Sequence, residues 1–576
     1  HEDVLGDNCM GRHVMEELTD AQKARHAIRE FKTITDALVL RGFYRLSGKL
    51  GKALESCLKN LSPEIYGSMN DPRIVELKGL EYVIDRLPRG IEECTRIILT
   101  EEDPFKNTDA EKIDPYKRRR TAYRVSANEL CIVISRGLSE IYDILTHLTF
   151  LYSEAQKIHN RMKAESEGLT LEWRSLEKTI TAMDTVGTQE RDQALWNLSI
   201  ILGRPYQETR DTFDYLEKGR TEHSSNNGLF SIIYQLGKRI DEEQASTDNA
   251  VVVYLTPSLV NIIGHQKYGI QWAKDIKTTL RELKLLDRPL HIISSNLHSV
   301  VNLLYGYDAL KEQNPSTGTT DNLYDFCHQI RDRGEEVVRV GEANGLYALT
   351  DCSGTHIDCQ VIDSALLDGI ELHPDIAIDL PKALDERPVL LVMDYAFGAQ
   401  AFELMENILR PYTYDNTTRF MHIRSISIMG KAGILKGDTG DIMLATAHVF
   451  EGTSDNYIFK NDLMRSDFSQ DMNVYVGPMV TVLGTSLQNR DMLEKFQSDW
   501  KTVGLEMEGG HYQRAISAAI IKGNISEKIN LRYAYYASDN PLVTGNTLAA
   551  GAMGKEGVKP TYMITKAILE KIFKDQ

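Results

Sequence analysis

Two carboxylates near the C-terminus occupy positions from which a pair of acids could carry out catalysis. Glu508 follows an apolar segment at residues 502–507, and Asp539 follows another at residues 529–537. In an open α/β sheet the carboxyl ends of the strands face the ligand crevice, so both acids would be delivered to one site. One carboxylate could then hold a sugar while the other donates a proton. The structural alternative is that each is a helix N-terminal acid favoured by the helix dipole.

Glycines follow several predicted strands in the same half of the chain. They are Gly398, Gly430, Gly433 and the pair Gly509-Gly510. Glycine at a strand end permits positive φ and lets the backbone approach a phosphate or a sugar closely, although it also serves ordinary tight loops. Together with the two acids, these turns predict a ligand crevice. Walker A, G-x-G-x-x-G and H-E-x-x-H patterns are absent, so no nucleoside triphosphate, dinucleotide, metal or other cofactor is expected.

The second half of the chain alternates strands and helices. Residues 388–394 form a near-continuous apolar run, which is typical of a strand buried on both faces. Further strands are predicted at residues 420–429, 441–447, 474–483, 502–507 and 529–537, with helices at 490–500, 510–521 and 560–573. This alternation predicts one α/β domain over residues 331–576.

Residues 1–245 are predicted to be a large all-α region with a regulatory or assembly role. Apolar residues recur there at helical spacing, and residues 126–152 are the clearest example. The basic run at residues 117–120 could grip a phosphate-bearing effector. The acids Glu111 and Asp114, which precede this run, favour instead a solvated helix start.

A small α/β unit ending in a linker is predicted between these regions, at residues 246–330. Strands at residues 249–255 and 289–294 alternate with helical stretches, which is the pattern of a compact α/β segment. The polar stretch at residues 294–299 could be a site loop or a helix N-cap. Residues 312–322 are polar and rich in Gly, Ser and Thr, which is typical of a linker.

Composition excludes several classes of partner. The chain of 576 residues is too long for one ordinary core, and its 42% hydrophobic and 26% charged residues are normal for a globular protein. The formal net charge of −17 argues against nonspecific binding to nucleic acid or to an anionic membrane. No apolar run reaches the ~18 residues that a membrane span needs. Scattered cysteines without metal-ligand spacing, and an N-terminus without a signal-peptide pattern, favour reduced thiols and a cytoplasmic location.

A set of short motifs, in order along the chain, resembles those of the nucleoside phosphorylase and nucleosidase superfamily. They are Leu409-Arg410-Pro411, Gly430-Lys431-Ala432-Gly433-Ile434-Leu435, Gly440-Asp441-Ile442-Met443-Leu444-Ala445, Glu506-Met507-Glu508 and Ser538-Asp539-Asn540-Pro541-Leu542. The resemblance covers residues 370–576. Within the superfamily the last motif is similar to the Ser-Asp-Lys-Pro-Leu segment of the AMP nucleosidases, which also carry a long N-terminal regulatory portion.

The resemblance implies that residues 331–576 form a phosphorylase-like catalytic domain, with a mixed sheet flanked by helices, and it implies an activity. The chain would hydrolyse the N-ribosidic bond of a purine nucleotide, converting AMP and water to adenine and ribose 5-phosphate, without a cofactor. Its partners would be a small-molecule nucleotide or nucleoside and further copies of itself in a homo-oligomer. Glu508 would bind the ribose 2′- and 3′-hydroxyls, and Asp539 would protonate N7 of the purine.

The same resemblance implies a set of substrate-binding residues. They are Met507, Gly398, Gly430, Lys431, Gly433 and Ser538. Met507 would lie beside the sugar, but it is equally well explained as a core methionine. Lys431 would meet a 5′-phosphate as a point charge, and its alternative is a surface lysine.

Two positions depart from the phosphorylases of the superfamily. Ile428 and Lys431 stand where those enzymes carry Arg and Ser or Thr, so the site for a phosphate co-substrate is not recognisable and hydrolysis is favoured. No residue matches the base that activates water in hydrolytic members, and none is assigned. Two alternatives remain open: a phosphorylase or nucleosidase that acts on nucleosides without a 5′-phosphate, and a non-catalytic nucleotide sensor.

Overall fold

The computed structural model describes residues 17–101, 103–182, 185–263, 266–311, 322–544 and 555–574. The predicted linker at residues 312–322 therefore lies outside the described residues, apart from its last position. The first long helix illustrates how local sequence sets the ends of elements. Thr19 and Gln22 form a capping box at its start, and Gly42, with φ of 85°, ends it in the left-handed conformation.

The elements are numbered in chain order. The helices are α1 (Asp20–Arg41), α2 (Lys49–Leu61), α3 (Leu77–Ile84), α4 (Leu138–Met162), α5 (Leu171–Thr181), α6 (Thr188–Leu202), α7 (Tyr206–His223), α8 (Leu229–Ala245), α9 (Pro257–Ile262), α10 (Lys267–Glu282), α11 (Ser299–Leu310), α12 (Leu323–Gln329), α13 (Gly334–Ala343), α14 (Gln400–Ile408), α15 (Arg490–Trp500), α16 (Gly509–Ile521), α17 (Pro541–Thr544) and α18 (Lys555–Lys574). The strands are β1 (Phe43–Arg45), β2 (Arg96–Thr100), β3 (Glu111–Lys112), β4 (Ala122–Ser126), β5 (Glu129–Val133), β6 (Val252–Leu255), β7 (Leu290–Ser294), β8 (Leu346–Leu349), β9 (Cys359–Asp363), β10 (Val389–Met393), β11 (Tyr412–Tyr414), β12 (Thr417–Arg419), β13 (Ile423–Ile434), β14 (Ile442–Phe450), β15 (Asn456–Ile458), β16 (Val474–Thr481), β17 (Gly504–Glu506) and β18 (Asn530–Asp539).

The larger sheet has ten strands and is mixed. Its order is β15-β14-β16-β17-β13-β7-β10-β9-β8, and β18 pairs with both β13 and β14. β7 is parallel to β10 and β13, whereas β9 is antiparallel to β10. Alternate residues of β10 enter two cores: Leu391 packs with residues of α10, α14 and α16, and Leu390 packs with residues of α11 and α18. The predicted mixed sheet flanked by helices is therefore confirmed.

Five strands of this sheet close into a ring. β13 pairs with β18, β18 with β14, β14 with β16, β16 with β17, and β17 with β13. β13 reaches both partners because it continues through Gly430 and Gly433 to Ile434. The prediction that these glycines form turns after the strand is therefore wrong. They lie within the strand, whose register shifts between Ala432 and Gly433, and glycine within a strand is typical of such a bend.

The N-terminal region is mostly helical but contains a second sheet. The order of its six strands is β1-β6-β2-β5-β4-β3. The prediction of an all-α region is wrong in this respect, and the helix predicted at residues 126–152 begins only at Leu138, after β4 and β5. β5 and α4 are close in the sequence and both apolar, and periodicity cannot separate a short buried strand from a segment of buried helix.

The strands β6 and β7, which the sequence groups in one small α/β unit, belong to different sheets. β6 pairs with β1 and β2 in the N-terminal sheet, whereas β7 lies between β10 and β13 in the larger sheet. Their partners lie far away in the sequence, so a local pattern of strand and helix could not reveal them. Among the described residues, the predicted small unit has no sheet of its own.

The N-terminal region packs against the part of the larger sheet that carries the predicted site. Phe31 of α1, Phe496 of α15 and Met507 belong to one apolar core. Polar contacts reinforce this packing: the Asn489 side chain donates to the carbonyl of Leu61 at 2.9 Å. A site at this position is therefore enclosed by both halves of the chain. None of the described helices is long and apolar enough to span a membrane.

Candidate active site

A cavity of about 210 Å³ lies at the carboxyl ends of the central strands of the larger sheet. The residues that line it are Ser294, Tyr395, Ala396, Phe397, Ile428, Met429, Gly430, Lys431, Thr485, Glu506, Met507, Glu508, Tyr512 and Tyr535. Most of these side chains are apolar or aromatic, and a few are charged. Such a lining, with few polar groups in defined places, is typical of a small-molecule site.

The Glu508 carboxyl group lies in this cavity, immediately after β17. The backbone N–H of Gly398 donates to Oε1 of Glu508 at 3.1 Å. Burial, together with the neighbouring Glu506 carboxyl, raises the pKa of Glu508 to about 8, against the opposing effect of the Gly398 N–H. Glu508 therefore retains its proton near pH 7 unless further hydrogen-bond donors reach it.

This raised pKa predicts how the stability of the protein depends on pH. A carboxyl group with a pKa of about 4.5 when unfolded and about 8 when folded contributes stability at low pH, and this contribution is lost as pH rises through that interval. In Glu508→Gln the group cannot ionise. As pH rises between these two pKa values, the free energy of unfolding of the variant should therefore increase relative to that of the wild type, by at most about 1.4 kcal/mol per pH unit. Urea denaturation at pH 5 and pH 8.5 measures this, and equal differences at both pH values would contradict it.

Glu506, the last residue of β17, is a buried acid to which the sequence analysis assigns no role. Its carboxylate accepts hydrogen bonds from the N–H of Glu508 at 2.5 Å, from the N–H of Gly509, and from Oγ1 of Thr481 at 2.8 Å. Burial raises the pKa of Glu506 to about 7. Because these bonds hold the turn between β17 and α16, Glu506 positions Glu508. The only signal in the sequence is that an acid stands two residues before Glu508.

Gly398 holds the loop that faces Glu508, and it adopts a conformation that favours glycine. Its φ is 55°, in the left-handed region. A Cβ atom at this position would lie 2.6 Å from Cβ of Ser139, at the start of α4. The N–H of Ala399 donates to Oγ of Ser139 at 2.9 Å. The N-terminal region thus clamps the loop that carries the hydrogen-bond donor to Glu508.

Gly398→Ala is therefore expected to destabilise the protein and to displace this loop. Left-handed strain and the clash with Ser139 together should lower the free energy of unfolding by about 1–3 kcal/mol. Urea denaturation measures this loss. Gly369→Ala is the matched control, because a Cβ there meets no atom within 4 Å, and it should change the stability little. An unchanged stability in Gly398→Ala would show that the loop can rearrange freely.

Asp539 is the last residue of β18 and lies opposite Gly433 of β13. It is 3% exposed, Oγ of Ser538 donates to its Oδ1 at 2.9 Å, and its Oδ2 has no hydrogen-bond partner among the described residues. Burial raises the pKa of Asp539 to about 6, against the opposing effects of the Ser538 hydroxyl and the Lys431 charge. A carboxyl group with a raised pKa and an unused oxygen is suited to proton transfer near neutral pH.

Lys431 connects Asp539 with the cavity. It lies on β13 beside Tyr536 of β18 and lines the cavity, where its side chain remains accessible to solvent. Partial removal of its amino group from water lowers the pKa of Lys431, and the charges of Arg118 and Arg86 lower it further. The charge of Asp539 acts in the opposite direction and raises this pKa. Lys431 is thus an accessible cation within the site.

The basic run at residues 117–120 is not the solvated helix start that the sequence favours. Residues 116–118 form a turn, and Arg118 and Arg120 bind Asp143 of α4 at 3.0 and 2.9 Å. The guanidinium carbon of Arg118 lies 5.9 Å from the ring centre of Phe397, which lines the cavity. The sequence did not reveal these ion pairs because the countercharge, Asp143, belongs to α4. Only tertiary packing places α4 against the basic run.

The structure divides the predicted site residues into two adjacent groups. Met507, Glu508, Gly430 and Lys431 line the cavity, and Gly398 adjoins it through its bond to Glu508. Gly433, Ser538 and Asp539 lie together at the ends of β13 and β18. The charge of Lys431 acts on Asp539 and thereby couples the groups. Among the described residues, no cluster of three or more His, Cys, Asp or Glu side chains could hold a metal ion.

Sequence reasoning missed several lining residues. Tyr395, Phe397 and Tyr512 are aromatic, and Phe397 packs under the guanidinium groups of Arg118 and Arg136. The position of Tyr395 and Phe397 directly after the buried strand β10 is the signal that could have found them. Thr485 has no such signal, because it begins a short 3-10 turn (Thr485–Leu487) that lies outside every motif.

A family model matches residues 52–207, 238–316 and 321–574, which is most of the chain. The chain belongs to DUF6909. This family is described as one of unknown function. The DUF6909 match includes every cavity-lining residue and also Arg86 and Arg118. No curated protein matches the chain.

Solved structures similar to this DUF6909 protein include enzymes of nucleoside metabolism. The 5′-methylthioadenosine/S-adenosyl homocysteine nucleosidase of Campylobacter jejuni is 10% identical, covering 50% of this chain and 99% of its own, with a TM-score of 0.29. Uridine phosphorylase of Schistosoma mansoni is 11% identical, covering 50% and 87%, with a TM-score of 0.30. A futalosine hydrolase mutant of Helicobacter pylori is 9% identical, covering 50% and 99%, with a TM-score of 0.28. Similarity of this degree assigns no activity, so the function is inferred from the residues of the cavity.

Proposed function

We propose that this protein is an N-glycosidase that hydrolyses the N-ribosidic bond of a purine nucleotide to the free base and ribose 5-phosphate. The observation that carries the proposal is the pair of acids at one cavity, Glu508 within it and Asp539 beside its lysine, both with a raised pKa. In the reaction the bond between N9 and C1′ breaks, and its electrons leave with the base. The oxygen of water bonds to C1′ and gives up one proton to the solvent, and the transition state resembles an oxocarbenium ion.

Glu508 is proposed to bind the ribose. Two sugar hydroxyls donating to its carboxyl group, beside the N–H of Gly398, would stabilise the ionised form and lower its raised pKa. The resulting carboxylate would face the positive charge that develops on the ribose. Charge-assisted hydrogen bonds of this kind are about twice as strong as neutral ones. Because the site is apolar, the carboxylate would attract this developing charge more strongly than it would in water.

Asp539 is proposed to donate a proton to the purine. Its unpartnered Oδ2 and its pKa of about 6 suit a carboxylic acid that delivers a proton to a ring nitrogen as the bond to C1′ breaks. The base would leave as a neutral molecule rather than as an anion. Because the charge of Lys431 lowers the pKa of Asp539, this lysine would favour release of the proton to the base.

The aromatic lining supports a flat, apolar leaving group. Phe397, Tyr512 and Tyr535 come from three different elements and border one cavity. Flat rings pack well on aromatic side chains, and such a lining excludes bulk water and so strengthens the electrostatic interactions within the site.

Phosphorolysis of a nucleoside is the second candidate, and one observation favours it. Lys431 is accessible within the cavity, where a cation could hold an inorganic phosphate that attacks C1′ in place of water. The product would then be ribose 1-phosphate.

One experiment tests both candidates. The purified protein is incubated with AMP, GMP, adenosine and guanosine, each with and without inorganic phosphate, and free base is measured by chromatography. Base released from a nucleotide without phosphate supports the nucleotide hydrolase. Release from a nucleoside only in the presence of phosphate supports phosphorolysis. Binding of nucleotide without base release, measured by calorimetry, would contradict both and leave a nucleotide sensor.

A further inference from the structure

Arginines of the N-terminal region surround Tyr82 at the edge of the cavity. The hydroxyl of Tyr82 lies 3.2 Å from Oγ1 of Thr485, which lines the cavity. Nη2 of Arg118 lies 3.5 Å from the same hydroxyl, and the guanidinium carbon of Arg86 lies 3.5 Å from the centre of the Tyr82 ring. Tyr82, Arg86 and Arg118 together are called the Tyr82 cluster below.

The positive charge of the Tyr82 cluster is only partly balanced by acids. Asp143 is shared between Arg118 and Arg120. Arg86 is 4% exposed, donates to the carbonyl of Tyr82 at 3.0 Å, and forms no ion pair with any described residue. Its Nε has no hydrogen-bond partner in the described part of the chain. A buried guanidinium without a paired carboxylate is unfavourable unless an anion completes its surroundings.

Lys431 extends this positive region into the cavity. Arg118 and Arg86 both lower the pKa of Lys431, in agreement with the short distances that link them through Tyr82 and Thr485 to the cavity lining. Among the described residues that line the cavity, Lys431 is the one cation, and Ile428 on the same strand is apolar. The described part of the larger sheet therefore offers a single positive charge to the cavity, and the arginines of the N-terminal region lie beside it.

We propose that the Tyr82 cluster and Lys431 bind the phosphate group of the substrate, so that the N-terminal region supplies the anion-binding part of the active site. This inference rests on the proposed function. A guanidinium group presents paired N–H donors that match two phosphate oxygens, and an ammonium group adds a mobile point charge. The group bound is a phosphate dianion, either the 5′-phosphate of a nucleotide or inorganic phosphate that acts as the acceptor.

Direct binding tests this without relying on turnover. Isothermal titration calorimetry measures ribose 5-phosphate, ribose and inorganic phosphate on the full chain and on its variants. The variants are Lys431→Met, Arg86→Met and Arg118→Lys, the last of which retains a countercharge for Asp143. Arg73→Met is the charge-matched control, because Arg73 is an exposed arginine of the same region that forms an ion pair with Asp71 and with no other described residue. Circular dichroism establishes that each variant is folded.

The wild type is expected to bind ribose 5-phosphate at least about tenfold more tightly than ribose, with inorganic phosphate as a competitor. Loss of one charged hydrogen-bond partner should weaken ribose 5-phosphate binding by about 10–100-fold in Lys431→Met and Arg86→Met. Arg118→Lys keeps the positive charge but loses the paired N–H donors of the guanidinium group, so it should weaken binding by less. Binding of ribose should change by less than about twofold in all variants, and Arg73→Met should match the wild type.

Two results would overturn the inference: equal affinity of the wild type for ribose 5-phosphate and ribose, or unchanged phosphate affinity in folded Lys431→Met and Arg86→Met. Base release is measured separately, so the two proposals can fail independently. Phosphate binding without base release refutes the activity alone, whereas base release with equal kinetics for AMP and adenosine, without any need for phosphate, refutes the phosphate site alone. A preference for AMP identifies the 5′-phosphate as the bound group, and formation of ribose 1-phosphate identifies the acceptor.

Discussion

Asp539→Asn is expected to lower kcat for base release by about 10²–10⁴-fold, the usual contribution of a general acid. The amide has the size of the carboxyl group but cannot donate a proton that it then recovers from water. Substrate affinity should change little, because the contacts of Glu508 with the ribose are untouched. The measurement is steady-state release of free base, followed by chromatography, with the substrate that the wild type cleaves best.

The control for this variant is Asp471→Asn, which removes an exposed carboxylate of the same half of the chain. Among the described residues, Asp471 forms an ion pair with Lys559 alone and accepts a hydrogen bond from Ser469. The kcat of Asp471→Asn should remain within about twofold of the wild type. If Asp539→Asn kept its turnover, the proton would have to come from another group or from water. In that case the raised pKa of Asp539 would be a property of its burial alone.

Glu508→Gln is the substitution with the second large effect. Glutamine fills the same space and can still accept the N–H of Gly398, but it cannot provide a negative charge. Loss of a preorganised electrostatic interaction with the transition state costs about 10²–10³-fold in kcat. The variant should nevertheless be more stable than the wild type above neutral pH, since its side chain does not ionise in an apolar cavity. Loss of activity combined with a gain of stability is a result that simple misfolding cannot produce.

Two further variants separate the charge of Glu508 from its position. Glu506→Gln retains the charge of Glu508 but weakens the bonds to the N–H groups of Glu508 and Gly509 that position it, so we expect a smaller loss of kcat. Glu527→Gln alters an exposed acid and should behave as the wild type. If Glu508→Gln had the KM and kcat of the wild type, the carboxyl group could not be the ligand of the ribose.

The elements of the C-terminal half were largely predictable because each carries its own local signal. The buried run at residues 388–394 contains β10, and the apolar run that precedes Asp539 became β18. The ends of elements were less certain, since glycine in a sequence does not say whether a strand stops or bends. Gly430 and Gly433 illustrate this: pairing of β13 with β18 and β17 carries the strand through both.

The N-terminal half was predicted less well because its strands are short and its sheet is assembled from distant segments. β2 pairs with β6, which lies beyond the five helices α4 to α8 in the sequence. The arginine run was judged from its sequence neighbours, Glu111 and Asp114. Its partner in the fold is Asp143, which binds the partly buried Arg118 and the buried Arg120, so these two side chains are not the solvated groups that the sequence favours.

By itself the sequence determined which residues follow the strands of the C-terminal half, because apolar patterning and acid spacing are local properties of the chain. It thereby indicated Glu508, Asp539 and Gly398 as candidate site residues, and the glycine motif indicated Lys431. Only the tertiary structure decided how they are surrounded. The raised pKa of both acids comes from burial, and the arginines beside Lys431 come from a segment more than three hundred residues away. Burial and long-range charge depend on packing between distant parts of the chain, which no local pattern records.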